Sequence, residues 1–216
     1  MLLTVFCSWS GGKESTLALQ RAIEMGLNID YLVNMVPKEG STVGHGLSPE
    51  FYSMQAESMQ IKIKQKGTDW EEYEESFSDI VRSIDADKGI FGDVYLPDHR
   101  GWVEDKSEEL GFEPLEPLWN QNPEELYREY LDKGFEGIIV KVKPEKVPEK
   151  WLGKTLDEEF LNFLKENDIC PLGEGGEYHT ATLNGPIFKN RIKVKLERNK
   201  KYGNGTIIEL EDQRLV

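Results

Sequence analysis

The sequence predicts an α/β protein: a doubly wound parallel sheet followed by a smaller C-terminal α+β domain. Three observations predict it. Short apolar runs alternate with amphipathic stretches from Leu2 to Leu115, the pattern of strands joined by crossover helices. A small-residue turn, Ser8 to Gly12, directly follows the first apolar run. The prolines at 114 and 117 and the segment Leu118 to Asn122 then break the rhythm, and the chain from Gly173 onward carries short β-like runs. The division into domains is expected at residues 1–120 and 121–216.

Each element has its own reason. Leu2 to Phe6 reads as the first strand. Glu14 to Met25 follows as a helix, with Leu17, Ala18, Ala22 and Met25 on one face and Gly26 as its stop. Ile29 to Val36 is a second strand, and a Gly-rich loop runs through Gly46. Pro49 to Met59 is a helix, and Ile61 to Lys64 a third strand. Thr68-Asp-Trp-Glu71 reads as a capping box, opening a helix on which Trp70, Tyr73, Phe77, Ile80, Val81 and Ile84 keep helical spacing. Gly89 to Val94 is a fourth strand and Tyr95 to Gly101 a loop. Trp102 to Leu110 is helical, Gly111 stops it, and Phe112 to Leu115 is a fifth strand. Asn122-Pro-Glu-Glu125 starts a new helix with proline at its first position. Gly137 to Val142 is a strongly apolar strand. Thr155-Leu-Asp-Glu158 reads as a second capping box, opening a helix to Glu166. Three β-like runs follow: Thr180 to Leu183, Arg191 to Leu196 and Thr206 to Leu210.

Composition excludes several function classes. No run of about 18 apolar residues is present, which argues against a membrane span. The N-terminus lacks the basic start and long apolar stretch of a signal peptide, so a cytoplasmic location is expected. The only cysteines are Cys7 and Cys170, with no Cys-x-x-Cys, so a zinc ribbon is not expected. With 40 acidic against 26 basic residues the net charge is −14, which argues against a nucleic-acid partner. The most basic stretch, Lys189 to Lys201, reads as a solvated strand–turn face.

The densest chemistry lies at the first turn. In Ser8-Trp-Ser-Gly-Gly-Lys-Glu-Ser15, Gly11 and Gly12 allow positive φ and close approach of a ligand. Helix N-terminal N–H groups attract an anion. Lys13 adds a full charge, and Ser10 and Ser15 add hydroxyls. Together this is a phosphate cradle. It is not the P-loop, because Cys7 stands where the first glycine should be and Glu14 follows the lysine. The loops after the second and fourth strands should share the same sheet edge, which places His45, Asp93, His99, Arg100 and Glu104 there. A second cluster is Gly173-Glu-Gly-Gly-Glu-Tyr-His-Thr180, whose Glu174, Glu177 and His179 offer acid, base or metal-ligand groups.

Ser10-Gly-Gly-Lys-Glu-Ser15 resembles the PP-loop of ATP pyrophosphatases in the adenine nucleotide alpha hydrolase superfamily, with Glu14 for the usual aspartate. The segment 173–180 resembles the Gly-Glu-Gly-Gly-Glu stretch of diphthine–ammonia ligases. Further matches run in order along nearly the whole chain: Gln55-Ala-Glu57, Gly111-Phe-Glu-Pro-Leu-Glu-Pro-Leu-Trp119, Gly134-Phe-Glu-Gly-Ile-Ile-Val-Lys-Val142, Trp151-Leu-Gly153 and Asp157-Glu-Glu-Phe160.

The resemblance implies a Rossmann-like sheet of HUP type. It also implies amidation by ammonia of diphthine on translation elongation factor 2, with ATP going to AMP and pyrophosphate through an acyl-adenylate. Ser8, Ser10, Gly11, Gly12, Lys13, Glu14, Ser15, His45 and Asp93 would then bind ATP, with Glu14 a partner for Mg2+. Lys13, Glu174, Glu177 and His179 would be catalytic. Tyr178, His99, Arg100 and Glu104 would bind the substrate, with Tyr178 offering an aromatic face to the trimethylammonium group; Tyr95, Trp102 and Trp119 are further aromatics near those loops. Two other readings fit the loop: a tRNA-modifying PP-loop enzyme that adenylates a base, and an ATP-binding protein without turnover. The sequence leaves the oligomeric state open, a homo-oligomer included.

Overall fold

A computed structural model describes residues 3–39 and 43–216 of the chain. Leu2 of the first apolar run and residues 40–42 of the Gly-rich loop lie outside the described residues. The chain divides into two units: Met1–Ser10, Glu14–Gly44 and Gln60–Asn120 form one, and Gly11–Lys13, His45–Met59 and Gln121–Val216 form the other.

The first unit is built on a parallel sheet of β1 (Val5–Ser8), β2 (Tyr31–Pro37), β3 (Lys62–Thr68), β4 (Lys88–Ile90) and β5 (Glu113–Leu115), in the order β3-β2-β1-β4-β5. All four pairings are parallel, with Phe6 opposite Tyr31 on one side and Gly89 on the other. Helices α1 (Lys13–Glu24), α3 (Tyr73–Ile84) and α4 (Pro97–Leu110) make the crossovers within this unit. The core gathers Phe6, Val33, Met35, Phe77, Ile80, Val81, Ile84, Phe91, Val103 and Phe112. Phe6 meets Phe77, Phe91 and Phe112 edge-on, at centroid distances of 5.3–6.0 Å, the geometry that ring quadrupoles favour. The edge strand β3 carries Lys62, Lys64 and Lys66, charges that discourage pairing with a further strand. Because the strand order reverses at β1, the loops after β1 and β4 part there and leave the crevice where such sheets hold ligands.

The second unit holds an antiparallel sheet of β6 (Glu136–Val142), β7 (Tyr178–Asn184), β8 (Ile192–Tyr202) and β9 (Gly205–Leu215), in the order β7-β6-β9-β8. Helices α2 (Pro49–Met59), α5 (Pro123–Asp132) and α6 (Glu158–Glu166) belong to it. α5 is capped by Asn122, whose side chain accepts from the N–H groups of Glu124 and Glu125. The basic stretch expected as a solvated face is β8, and its charges are met across the hairpin. Arg198 and Lys200 pair with Glu209 at 2.8 and 3.0 Å, and Lys195 pairs with Glu211. Those cross-strand pairs carry the hairpin well past the expected ends at Leu196 and Leu210.

Other expected boundaries move as well, and the fourth strand ends at Ile90, before the expected Val94. Thr68 closes β3 and does not cap a helix. Asp69 accepts from Glu71 and Glu72 N–H, and α3 opens only at Tyr73. Thr155 bridges to Ile138, so Asp157 caps α6 by accepting from Phe160 N–H. The stretch 97–101, expected as loop, is the first turn of α4. Its Pro97 occupies a position where the missing N–H costs nothing, and His99 and Arg100 are therefore helical.

Candidate active site

The turn after β1 is held from both ends. Trp9 N–H donates to Val33 O at 2.8 Å, and Asn34 Nδ2 donates to Trp9 O at 2.7 Å. Gln65 in turn orients Asn34. Ser8 ends β1, and the hydroxyls of Ser10 and Ser15 lie 3.1 Å apart. At the far side of the same crevice Gly92 approaches the first turn of α1. A Cβ on residue 92 would lie 2.9 Å from the Glu14 carbonyl carbon, so only glycine lets the loop after β4 come this near.

Residues 11–13 are clamped within the second unit. Gly11 O accepts from Thr182 N–H at 2.9 Å and from Gln55 Nε2 at 3.0 Å, and the same Gln55 amide donates to Thr182 O at 2.8 Å. Gly11 takes φ +73°, and a Cβ there would lie 2.6 Å from Gln55 Oε1. Of the two loop glycines expected to use positive φ, only Gly11 does. Lys13 N–H donates to Thr180 Oγ1 at 3.1 Å. Its ammonium, in a side chain 2 % exposed, donates to Leu172 O at 2.7 Å and lies 4.3 Å from the centre of the Tyr178 ring. The loop therefore spends some of the donors expected for an anion on its own anchorage.

Tyr178 changes role for the same reason. It is 1 % exposed, its hydroxyl donates to Pro171 O, and its ring lies against Phe160 as well as the Lys13 ammonium. The face expected to receive a trimethylammonium group already holds a cation of this chain.

Around this clamp sits the acid and imidazole cluster. His45 Nδ1 bonds Thr180 O at 3.1 Å, and the His45 and His179 rings lie 4.6 Å apart, tilted by 32°. A carbonyl partner can only accept, so Nδ1 carries the His45 proton. Burial pushes the His45 pKa down to about 4, with Lys13 and Lys141 adding to the shift. Burial also holds His179 well below the usual range, followed by the charges of His45, Lys141, Lys13 and Lys143. Both rings are neutral at physiological pH, so His179 is not a proton donor there. Glu177 Oε2 is buried with no hydrogen-bond partner, while its backbone carbonyl accepts from Lys143 N–H. Glu174 is half-buried on the same Gly-rich turn. The Lys143 ammonium donates to Gly175 O at 2.7 Å and braces that turn.

The remaining expected residues gather in the first unit. Asp93 Oδ1 meets His99 Nδ1 at 3.0 Å; Arg100 pairs with Glu104 at 2.8 Å and stacks 4.9 Å over Trp119. Tyr95 is exposed, whereas Trp102 is partly buried and packs against the core at Phe77, with ring centres 5.0 Å apart. Glu116 joins this group. It lies 3.8 Å from Arg100, its Oε1 is buried without a partner, and burial, then Asp93, pushes its pKa up. In the sequence Glu116, Gln55 and Lys141 stand out only as parts of longer matches. A lysine inside the apolar run 137–142 was the one signal that could have drawn attention to itself.

A five-stranded parallel sheet whose order reverses at β1, with Ser-Gly-Gly-Lys-Glu-Ser on the turn that follows, defines a nucleotide-binding α/β protein of the PP-loop kind. The family model described as the diphthamide synthase N-terminal domain matches residues 3–114, and the one described as its C-terminal domain matches residues 122–216. The chain belongs to the diphthine–ammonia ligase family. A relative of that name from Homo sapiens is 31% identical over 215 residues, covering 86% of this chain and 80% of the relative. One from Mus musculus is 30% identical over 214 residues with the same coverage. One from Schizosaccharomyces pombe is 27% identical over 228 residues, and this chain spans 38% of its length.

Proposed function

We propose that this chain amidates diphthine on translation elongation factor 2 in the cytoplasm. Ammonia supplies the nitrogen, and ATP is split into AMP and pyrophosphate. The observation that carries this reading is the clamped turn at Gly11. A flexible small-residue loop has been fixed by Gln55, Thr180 and Thr182, as a phosphate site must be fixed before it can favour a transition state. In this reading activation of the diphthine carboxylate by adenylation precedes attack by ammonia.

The chain's residues divide that work. The Ser10 and Ser15 hydroxyls and the turn's backbone receive the β and γ phosphates, and Lys13 holds the turn in shape through Leu172 and Tyr178. Among the described residues no three His, Cys, Asp or Glu side chains gather as a metal site. A single carboxylate on the first turn of α1, that of Glu14, suits Mg2+, which is commonly held by one or two carboxylates plus phosphate oxygens. Bound there, the ion would offset phosphate charge. Glu177, with an unpartnered carboxylate oxygen, takes the proton that ammonia loses on attack. His179, held neutral far below its usual pKa, is a weak base beside it. Asp93, His99, Arg100 and Glu104 contribute to substrate binding.

The test is product analysis. Purified protein, ammonium, ATP and diphthine-bearing elongation factor should yield AMP, pyrophosphate and an amidated protein. ADP as the main nucleotide product would exclude the reading.

A further inference from the structure

We propose that Lys141, together with the facing His179 ring, forms an oxyanion subsite in the second unit whose ligand is a phosphate group, with pyrophosphate the best-matched species. The inference rests on the reading that this chain releases pyrophosphate from ATP, and it assigns a role to a residue outside the PP-loop.

Lys141 sits where a lysine is costly. β6 is the most buried strand of its sheet, and Lys141 itself is only 8 % exposed. Its ammonium lies 5.1 Å from the centre of the Tyr202 ring, and among the described residues it makes no hydrogen bond or ion pair. An ammonium on a buried stem without a counter-charge is partly desolvated, which is unfavourable until an anion binds beside it.

The surroundings point the same way. The β6–β7 register shifts between Ile139 and Lys141, a bulge of the kind that re-aims a side chain. Lys141 then stands opposite His179, on the same face of the sheet. His179 stacks on His45, and His45 lies against the phosphate loop, since a Cβ on Gly12 would be 3.0 Å from its Cε1. The cations that depress the two rings' pKa values are Lys13, Lys141 and Lys143, while Glu174 and Glu177 stand on the turn just before His179. Burial, and then Lys143, lowers the pKa of Lys141 itself. Lys141, with the anchored Lys13 and Lys143 adding positive potential nearby, matches a multiply charged group better than a single carboxylate.

Calorimetric titration of the full chain with inorganic pyrophosphate tests this, with acetate as the carboxylate probe. Lys141→Met should weaken pyrophosphate binding by roughly tenfold to a hundredfold, the usual loss for one charge-assisted bond. The same variant without ligand should melt at or above the wild-type temperature, because a partly desolvated, unpaired charge has been replaced by an apolar chain of similar length. Unchanged pyrophosphate affinity in the variant, or no binding by wild type, would overturn the proposal. A lowered melting temperature would make Lys141 a structural residue instead. Acetate bound as tightly as pyrophosphate would overturn the phosphate assignment. The broader reading fails separately, through ADP as the product of ATP turnover, whatever the pyrophosphate titration shows.

Discussion

His45 and His179 lie where protonation is disfavoured, and that has a measurable cost in acid. In the unfolded chain both would titrate near the ordinary histidine value of about 6.5. In the folded chain burial moves His45 to about 4 and His179 well below its usual range. Between about pH 6.5 and 4 the unfolded state binds protons that the folded state refuses, so stability falls as pH falls through that window. Each ring contributes a slope of up to about 1.4 kcal/mol per pH unit. Above pH 6.5 the contribution is fully present. Denaturant titrations from pH 7.5 to 4.5 should show this loss, and a His45→Gln, His179→Gln variant should show a flatter dependence whatever its absolute stability. An equal slope in both proteins would remove the histidines as its cause.

Helix α2 acts as a clamp through one side chain. The Gln55 amide donates to two backbone carbonyls, those of Gly11 and Thr182. Leucine at 55 would leave Thr182 O buried without that donor, a loss of about 1–3 kcal/mol. Gln55→Leu should therefore lower stability by that amount and slow ATP turnover more than a surface change of equal stability cost. Turnover at the wild-type rate would show that the clamp does not hold the catalytic form. This element was legible in the sequence as a helix from Pro49 to Met59, and so was the strand–turn–helix around Ser10, because periodicity and glycine placement are local properties. What Gln55 does was not legible, since its partners lie 44 and 127 positions away. The same limit explains the misplaced helix starts. Thr68 and Thr155 have the chemistry of caps, but β3 claims the first and β6 bridges to the second. From the sequence Tyr178 reads as an open aromatic face, because nothing local shows that Lys13 fills it.

At the scale of the whole chain the two family-model segments, 3–114 and 122–216, follow sequence order, whereas the compact units do not. Gly11–Lys13 and His45–Met59 group with the later residues. Within that second unit α2 packs on β8 and β9, burying Phe51, Tyr52, Ala56 and Met59. A fragment of residues 121–216 made alone would expose the apolar surface that α2 covers, at about 25 cal/mol per Å2. It should give the broad signals of an incompletely packed chain by NMR, and adding residues 1–120 as a separate polypeptide should sharpen them. A well-dispersed spectrum from the fragment alone would contradict this. The interleaving also bears on ancestry. A stretch that borrows a helix from its neighbour should fold poorly when recombination moves it alone into another gene. The two segments are then expected to be inherited as a pair, and a fusion outside the pair should be tolerated more readily than a split between them.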